Sequence, residues 1–231
     1  MRLLILLLPI LLFAKVSFTF NSVYQLIKGK YGLSALNFRG YMIESEVHIV
    51  GFSKDNLIFF VKKEPNEDRD YNIATATIIN LQNNDLILKT SWDFKGKFIN
   101  TIKQHQKDIN QLAKEFNIIR KDIKTIKEFP ATIDGITYKV DKQTEFIKYN
   151  KEKFLTKYKL YLKKYSTAFL LSKKNILSLE FDASNQLYNI YPLGVIKSPF
   201  SKNKAIFLAK VYRGYEGKPH ILDIFVIGAN L

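Results

Sequence analysis

The chain of 231 residues contains no cysteine. That excludes disulfide staples, thiolate metal sites and cysteine nucleophiles, and also a lipoprotein anchor, which needs a cysteine to acylate. Acidic charge is scarce beside basic charge: 21 Asp+Glu stand against 36 Lys+Arg, a formal net charge of +15. Such an excess favours an anionic partner or surface and is silent on fold. Gly-rich phosphate loops, dinucleotide fingerprints and a Gly-x-Ser-x-Gly elbow are all missing. The only histidines are His48, His105 and His220, too widely spaced for a helical metal pair. After the first residues, no apolar run reaches the ~20 residues that a membrane-crossing helix requires. No cofactor, metal or catalytic group is expected.

What is present is enough apolar mass for a real core, at 47% hydrophobic residues. Met1-Arg2 is followed by an apolar run from Leu3 to Ala14 and then Lys15, the form of a secretory signal peptide. Pro9 in mid-run and the lack of a polar face argue against a buried helix. Residues 1–20 are expected to be that signal peptide. The chain 21–231 is then a single β-rich domain exported to the periplasm.

Three textures divide the domain. Residues 21–95 read as a first meander. Val47–Phe52, Leu57–Val61, Ile73–Leu81 and Leu86–Lys89 are strand-like, with turns at Ser53–Asn56 and Gln82–Asp85. Residues 96–128 read as one amphipathic helix. Phe98, Ile102, His105, Ile109, Leu112 and Phe116 recur at spacings of four and three. A helix ending near Asn117 explains them better than a coiled-coil seam prolonged through Ile119, Ile123 and Ile126, because β-branched residues crowd those turns and Pro130 follows. Residues 129–231 return to strands: a hairpin at Asp134-Gly135, alternation from Tyr158 to Lys163, then Thr167–Leu171, Ile176–Phe181, Leu187–Tyr191, Ala205–Tyr212 and Ile221–Ile227. The expected fold class is mainly β with one long helix (α+β), as two antiparallel propeller-blade-like meanders bridged by the helix.

An internal echo supports the pairing of meanders. Phe52-Ser53-Lys54-Asp55-Asn56-Leu57 matches Phe200-Ser201-Lys202-Asn203-Lys204-Ala205, and each is followed by a polar loop and an apolar strand. Blades of β-propellers repeat in this way. Two units cannot close a ring, so face-to-face packing or one curved sheet is expected.

Gly51-Phe52-Ser53-Lys54-Asp55-Asn56 and Arg213-Gly214-Tyr215-Glu216-Gly217 resemble the GFSxDG-type turn and the GxEG turn of a bacterial family of predicted secreted (periplasmic) proteins of unknown function. The order of signal peptide, meander, helix and meander also resembles that family. Asn56 stands where the family has Gly, and the helix here is rich in Lys and Ile instead of Ala. The resemblance implies a compartment and an architecture, and no activity.

Two groups of residues are candidates for binding. The loop Arg213–His220 gathers a cation, a phenol, a carboxylate and an imidazole, so Arg213, Tyr215, Glu216 and His220, with Asp55, are candidate ligand-binding residues. The ordinary account is that its glycines serve the turn and Glu216 pairs with Arg213 or Lys218. The basic excess concentrates between Lys97 and Lys174, where 19 Lys+Arg face 8 Asp+Glu. There Lys157, Lys159, Tyr161, Lys163 and Lys164 are candidates for holding an anionic surface by many weak contacts. A solvated face guarding an edge strand is the plainer account. Glu64, Glu67, Asp68 and Asp70 lack calcium-loop spacing and read as a solvated loop.

The function expected is that of a non-enzymatic envelope protein, a binding or scaffolding module. One alternative is a peripheral protein holding anionic lipid or cell-wall polymer through the basic middle region. Another is an envelope hydrolase working through Tyr215, Glu216 and His220. Another envelope protein is a further candidate partner, and nucleic acid is not expected.

Overall fold

A strand that is apolar at every position needs cover on both faces, whereas an alternating strand needs cover on one. Both kinds occur here, and a computed structural model shows how each is covered. It describes residues 42–65, 72–119, 126–149, 152–167, 169–182, 186–214 and 217–229. The expected signal peptide, Glu67 to Asp70, Ile123, Tyr215 and Glu216 lie outside the described residues.

The short strand β1 (Met42–Glu44) runs parallel to the last strand of the chain and belongs to a sheet introduced below. Next come β2 (Glu46–Phe52), β3 (Leu57–Lys63), β4 (Asn72–Asn80) and β5 (Leu86–Phe94). They pair in sequence order, all antiparallel, as the meander sheet. This matches the expected first meander, with β5 longer than foreseen. In β3, Leu57, Phe59 and Val61 point into one buried cluster while Ile58 and Phe60 point into another. Both faces of the meander sheet are therefore covered.

On one face lie two short helices, α1 (Phe98–Gln104) and α2 (Gln106–Glu115), in place of one long helix. The break falls at His105, whose ring stacks on Trp92 at 4.7 Å between centroids and lies 3.2 Å from the Asp108 carboxylate. The expected apolar stripe survives the break, since Phe98, Ile102 and Ile109 are buried against the meander sheet with Leu112 and Phe116 beside them. Asn117, with φ at +52°, ends the helical path. Ile119 then exchanges backbone hydrogen bonds with Phe52 at 3.2 and 2.7 Å, so it joins the sheet edge and not a coiled-coil seam.

After β6 (Lys127–Glu128), the third texture splits into two sheets, not a single second meander. The outer sheet holds β7 (Ala131–Ile133), β8 (Ile136–Tyr149), β9 (Glu152–Ser166) and β10 (Phe169–Glu180) in the order β10-β9-β8-β7. Asp134-Gly135, at φ +52° and +75°, makes the tight β7–β8 turn that the sequence signals. The central sheet holds β11 (Leu187–Lys197), β12 (Lys204–Gly214) and β13 (Gly217–Ala229) in the order β1-β13-β12-β11-β6. Along β12, Ala205, Phe207, Ala209 and Val211 face the meander sheet, while Ile206 and Leu208 face the outer sheet. The layers thus run helices, meander sheet, central sheet, outer sheet. None of the three sheets closes on itself among the described residues, and stacking replaces the radial arrangement of propeller blades.

The echoing units do pack face to face, one in the meander sheet and one in the central sheet. Their turns meet: the Asn203 side-chain Nδ2 donates to Asn56 Oδ1 at 2.8 Å. In the first turn Ser53 is fully buried, and its Oγ accepts from the Asp55 and Leu57 amides at 3.1 and 3.3 Å. In the second turn that work is divided: Ser198 Oγ takes the Phe200 amide at 3.3 Å and Ser201 Oγ takes the Asn203 amide at 3.2 Å. The second turn is longer, so the residue that leaves the strand as Ser53 does is Ser198.

Candidate functional site

The outward face of the outer sheet is the one broad sheet face that no described element covers. Its composition follows from β9, where Tyr158, Leu160 and Leu162 are buried and the residues between them project outward. Register with β8 and β10 turns single residues into rows across three strands, about 4.8 Å apart. One row is Lys139–Lys163–Lys173 and the next is Asp141–Tyr161–Asn175. Then follow Gln143–Lys159–Ser178 and Glu145–Lys157–Glu180.

Charge on this face is uneven. Asp141 binds Lys163 at 2.9 Å and Lys173 at 3.4 Å, and the Lys163 hydrogen bond holds its carboxyl below the usual range. Lys173 also lies 4.4 Å over the Tyr161 ring, and Lys139 lies 4.9 Å over Tyr165. Two cations at this end therefore have one carboxylate between them, and Lys139 has an aromatic face. At the other end Lys157 meets Glu145 at 3.1 Å and feels Glu180, so that row carries no excess of positive charge. Lys159 stands without a carboxylate partner among the described residues.

Lys157, Lys159, Tyr161 and Lys163 are brought onto one face, as the alternation predicts. Lys164 is not on it. Lys164 pairs in register with buried Tyr138 and so points toward the central sheet. There it joins Lys197 and Lys204 beside the Asp134 turn. Lys204 is only 4% exposed, lies 4.9 Å over the Tyr138 ring and donates to the Lys202 carbonyl at 2.9 Å. Burial first, and then Lys197 and Lys164, pull its ammonium down to about 8. Lys197 is bonded to Asp134.

The other candidate group is not assembled. Asp55 is exposed in the turn that meets Asn203, just before β12 begins. Arg213 lies at the far end of β12, roughly 30 Å along the strand at ~3.3 Å per residue. Its guanidinium reaches Glu152 at 3.1 Å, tying the central sheet to the outer sheet. Glu152 also accepts from Tyr188, whose phenol is pushed up to about 12 by burial and then by that carboxylate. Tyr215 and Glu216 are outside the described residues, and His220 is described only as backbone in β13.

Sequence reasoning missed Lys139 and Lys173. Lys139 lies on β8, whose outward and inward positions are both largely polar, so no alternation announces the strand. Lys173 lies where two short strands are expected, and a single bulged strand, β10, is formed instead. Among the described residues no group of three or more His, Asp or Glu is placed to hold a metal ion, and no helix is long and apolar enough to cross a membrane. No family model, no curated protein and no solved structure matches the chain.

Proposed function

We propose that the chain is an exported, non-enzymatic protein of the bacterial envelope that holds a phosphate-bearing surface or polymer on the outward face of its outer sheet. The observation that carries this is the lysine row Lys139–Lys163–Lys173 on a face left open by every described element. A flat, cationic, three-strand surface suits a repeating anion better than a small molecule, because it offers many weak contacts and no enclosure. The apolar run Leu3–Ala14 supports export, and the turns at Gly51–Asn56 and Arg213–Gly217 keep the resemblance to secreted bacterial proteins.

The test is retention of the full chain on immobilised polyphosphate across a salt series. Retention should weaken steeply as salt rises. A K139Q/K163Q/K173Q variant should bind about tenfold or more weakly, with a flatter salt dependence. Retention that ignores both salt and the three substitutions would sink the proposal.

A further inference from the structure

The end of the outer sheet that carries the lysine row also carries an apolar tip. Phe169, Leu170 and Leu171 open the edge strand β10 and are 78%, 53% and 53% exposed. Single exposed apolar side chains are ordinary, whereas three in succession on an edge form a patch that water disfavours. Leu170 pairs with Tyr165 and therefore lies on the outward face, next to the Lys139–Lys163–Lys173 row. Leu171 sits in a bulge before Ser172 pairs with Lys164. Lys164, Lys197 and Lys204 cluster at the same end, by the Asp134-Gly135 turn. These six lysines include only two bonded carboxylates, Asp134 and Asp141, for a net formal charge of +4.

We infer that this end of the outer sheet is a docking tip for a bilayer of anionic phospholipid. The inference rests on the anion-holding reading above and names the lipid surface as its partner. Apolar side chains ringed by lysines fit a membrane interface, where the former enter the acyl boundary and the latter reach phosphates on flexible stems. A soluble polyanion offers no apolar phase to receive Phe169 and Leu170. A second copy pairing along β10 would set Lys173 and its neighbours against themselves, and lysine on an edge strand opposes such pairing. The opposite end of the sheet provides an internal contrast. Phe146, Ile147 and Tyr149 are also exposed, at 44%, 45% and 63%. Around them, though, Lys148, Lys153, Lys157 and Arg213 are interleaved with Glu145, Glu152 and Glu180, a net of only +1 among the described residues to meet an anionic leaflet.

The experiment is co-sedimentation of the full chain with vesicles of phosphatidylglycerol and phosphatidylcholine, run beside polyphosphate retention. Substituting F169S/L170S/L171S should lower vesicle binding at least tenfold and leave polyphosphate retention unchanged. Substituting F146S/I147S should change neither. A separate Phe169→Trp variant should show a blue-shifted emission on anionic vesicles and none on phosphatidylcholine alone. Vesicle binding unchanged by the triple substitution, with no blue shift, overturns the docking tip. If the lysine variant K139Q/K163Q/K173Q still weakens polyphosphate binding in that case, the anion-holding face stands without it. If the lysine variant alters neither assay, both fail together. Loss of self-association on triple substitution, with vesicle binding unchanged, would assign the tip to a second copy and also overturn the inference.

Discussion

Gly228 in the central sheet lies hard against the backbone of Leu81, just past the end of β4 in the meander sheet, and replacing it with alanine tests the layered packing. A Cβ there would lie 2.0 Å from the Leu81 carbonyl oxygen and 2.4 Å from its carbonyl carbon and Cα. Comfortable contact needs about 3.5 Å, so two backbones would have to part by roughly 1 Å or more. Neither backbone is free to do so. The Gly228 amide donates to Asn84 Oδ1 at 2.5 Å, and Gly228 pairs with Ala205 in β12. Leu81 is fully buried in the shared core, and its amide donates to the Asn56 carbonyl at 2.8 Å. Overpacking costs about 1–3 kcal/mol and loss of the Asn84 bond about 1 kcal/mol more. Gly228→Ala should therefore destabilise by ~2–4 kcal/mol. At a urea m-value of ~2–3 kcal/mol/M, the unfolding midpoint should fall by about 1–2 M. Gly135→Ala is the control: φ is +75° and nothing lies within 4 Å of its Cβ position, so only the left-handed backbone is penalised, at ~1 kcal/mol. Equal midpoint shifts for the two variants, read by far-UV circular dichroism, would refute the close contact of the sheets.

Two further outcomes follow from buried charge. Lys62 on β3 reaches Asp223 on β13 at 2.9 Å and Glu64 at 2.5 Å; burial alone would depress its ammonium, but the two carboxylates outweigh burial and raise it. Lys62→Met should cost about 2–3 kcal/mol by leaving the Asp223 carboxylate without its bonded cation, though it still accepts from Ser45 Oγ at 3.1 Å, and the double variant K62M/D223N should recover part of that in the same urea assay. Lys204, with its ammonium near 8, releases its proton in the folded state while the unfolded chain still holds one up to about 10.4. The unfolded state then binds more protons, so stability should rise from about pH 8 to 10.5, by ~1–2 kcal/mol once solvent screening is allowed for. Lys204→Met should lack that rise relative to the unsubstituted chain, and an identical pH dependence in both would refute it.

Much of the fold is legible where physics is local. The alternation Lys157 to Lys163 reads as a strand covered on one face, and it is one. The unbroken apolar runs Leu57–Val61 and Ala205–Ala209 read as strands, and their lack of alternation becomes clear once both faces are seen to be covered. Asp134-Gly135 and Asn56, at φ +64°, signal their turns because few other residues adopt positive φ at low cost. The helical stripe is legible because its periodicity is local, though nothing local announces the break at His105, whose ring stacks on Trp92, thirteen positions away in sequence. β8 was hidden because its far half is exposed on both sides and has no periodicity to betray it.

The candidate site divides along the same line. Residue order alone determined that lysines and a tyrosine share one side of β9, and that the chain folds around an uncrosslinked apolar core. Only tertiary structure decided that Lys139, Lys163 and Lys173 form one row, that Lys164 turns inward to Lys204, and that Arg213 answers Glu152 far from Asp55. The reason is that a side chain's face is set by its neighbours along the strand, whereas its row is set by register between strands. Register depends on which sheets bury which faces, a choice made between residues far apart in the chain.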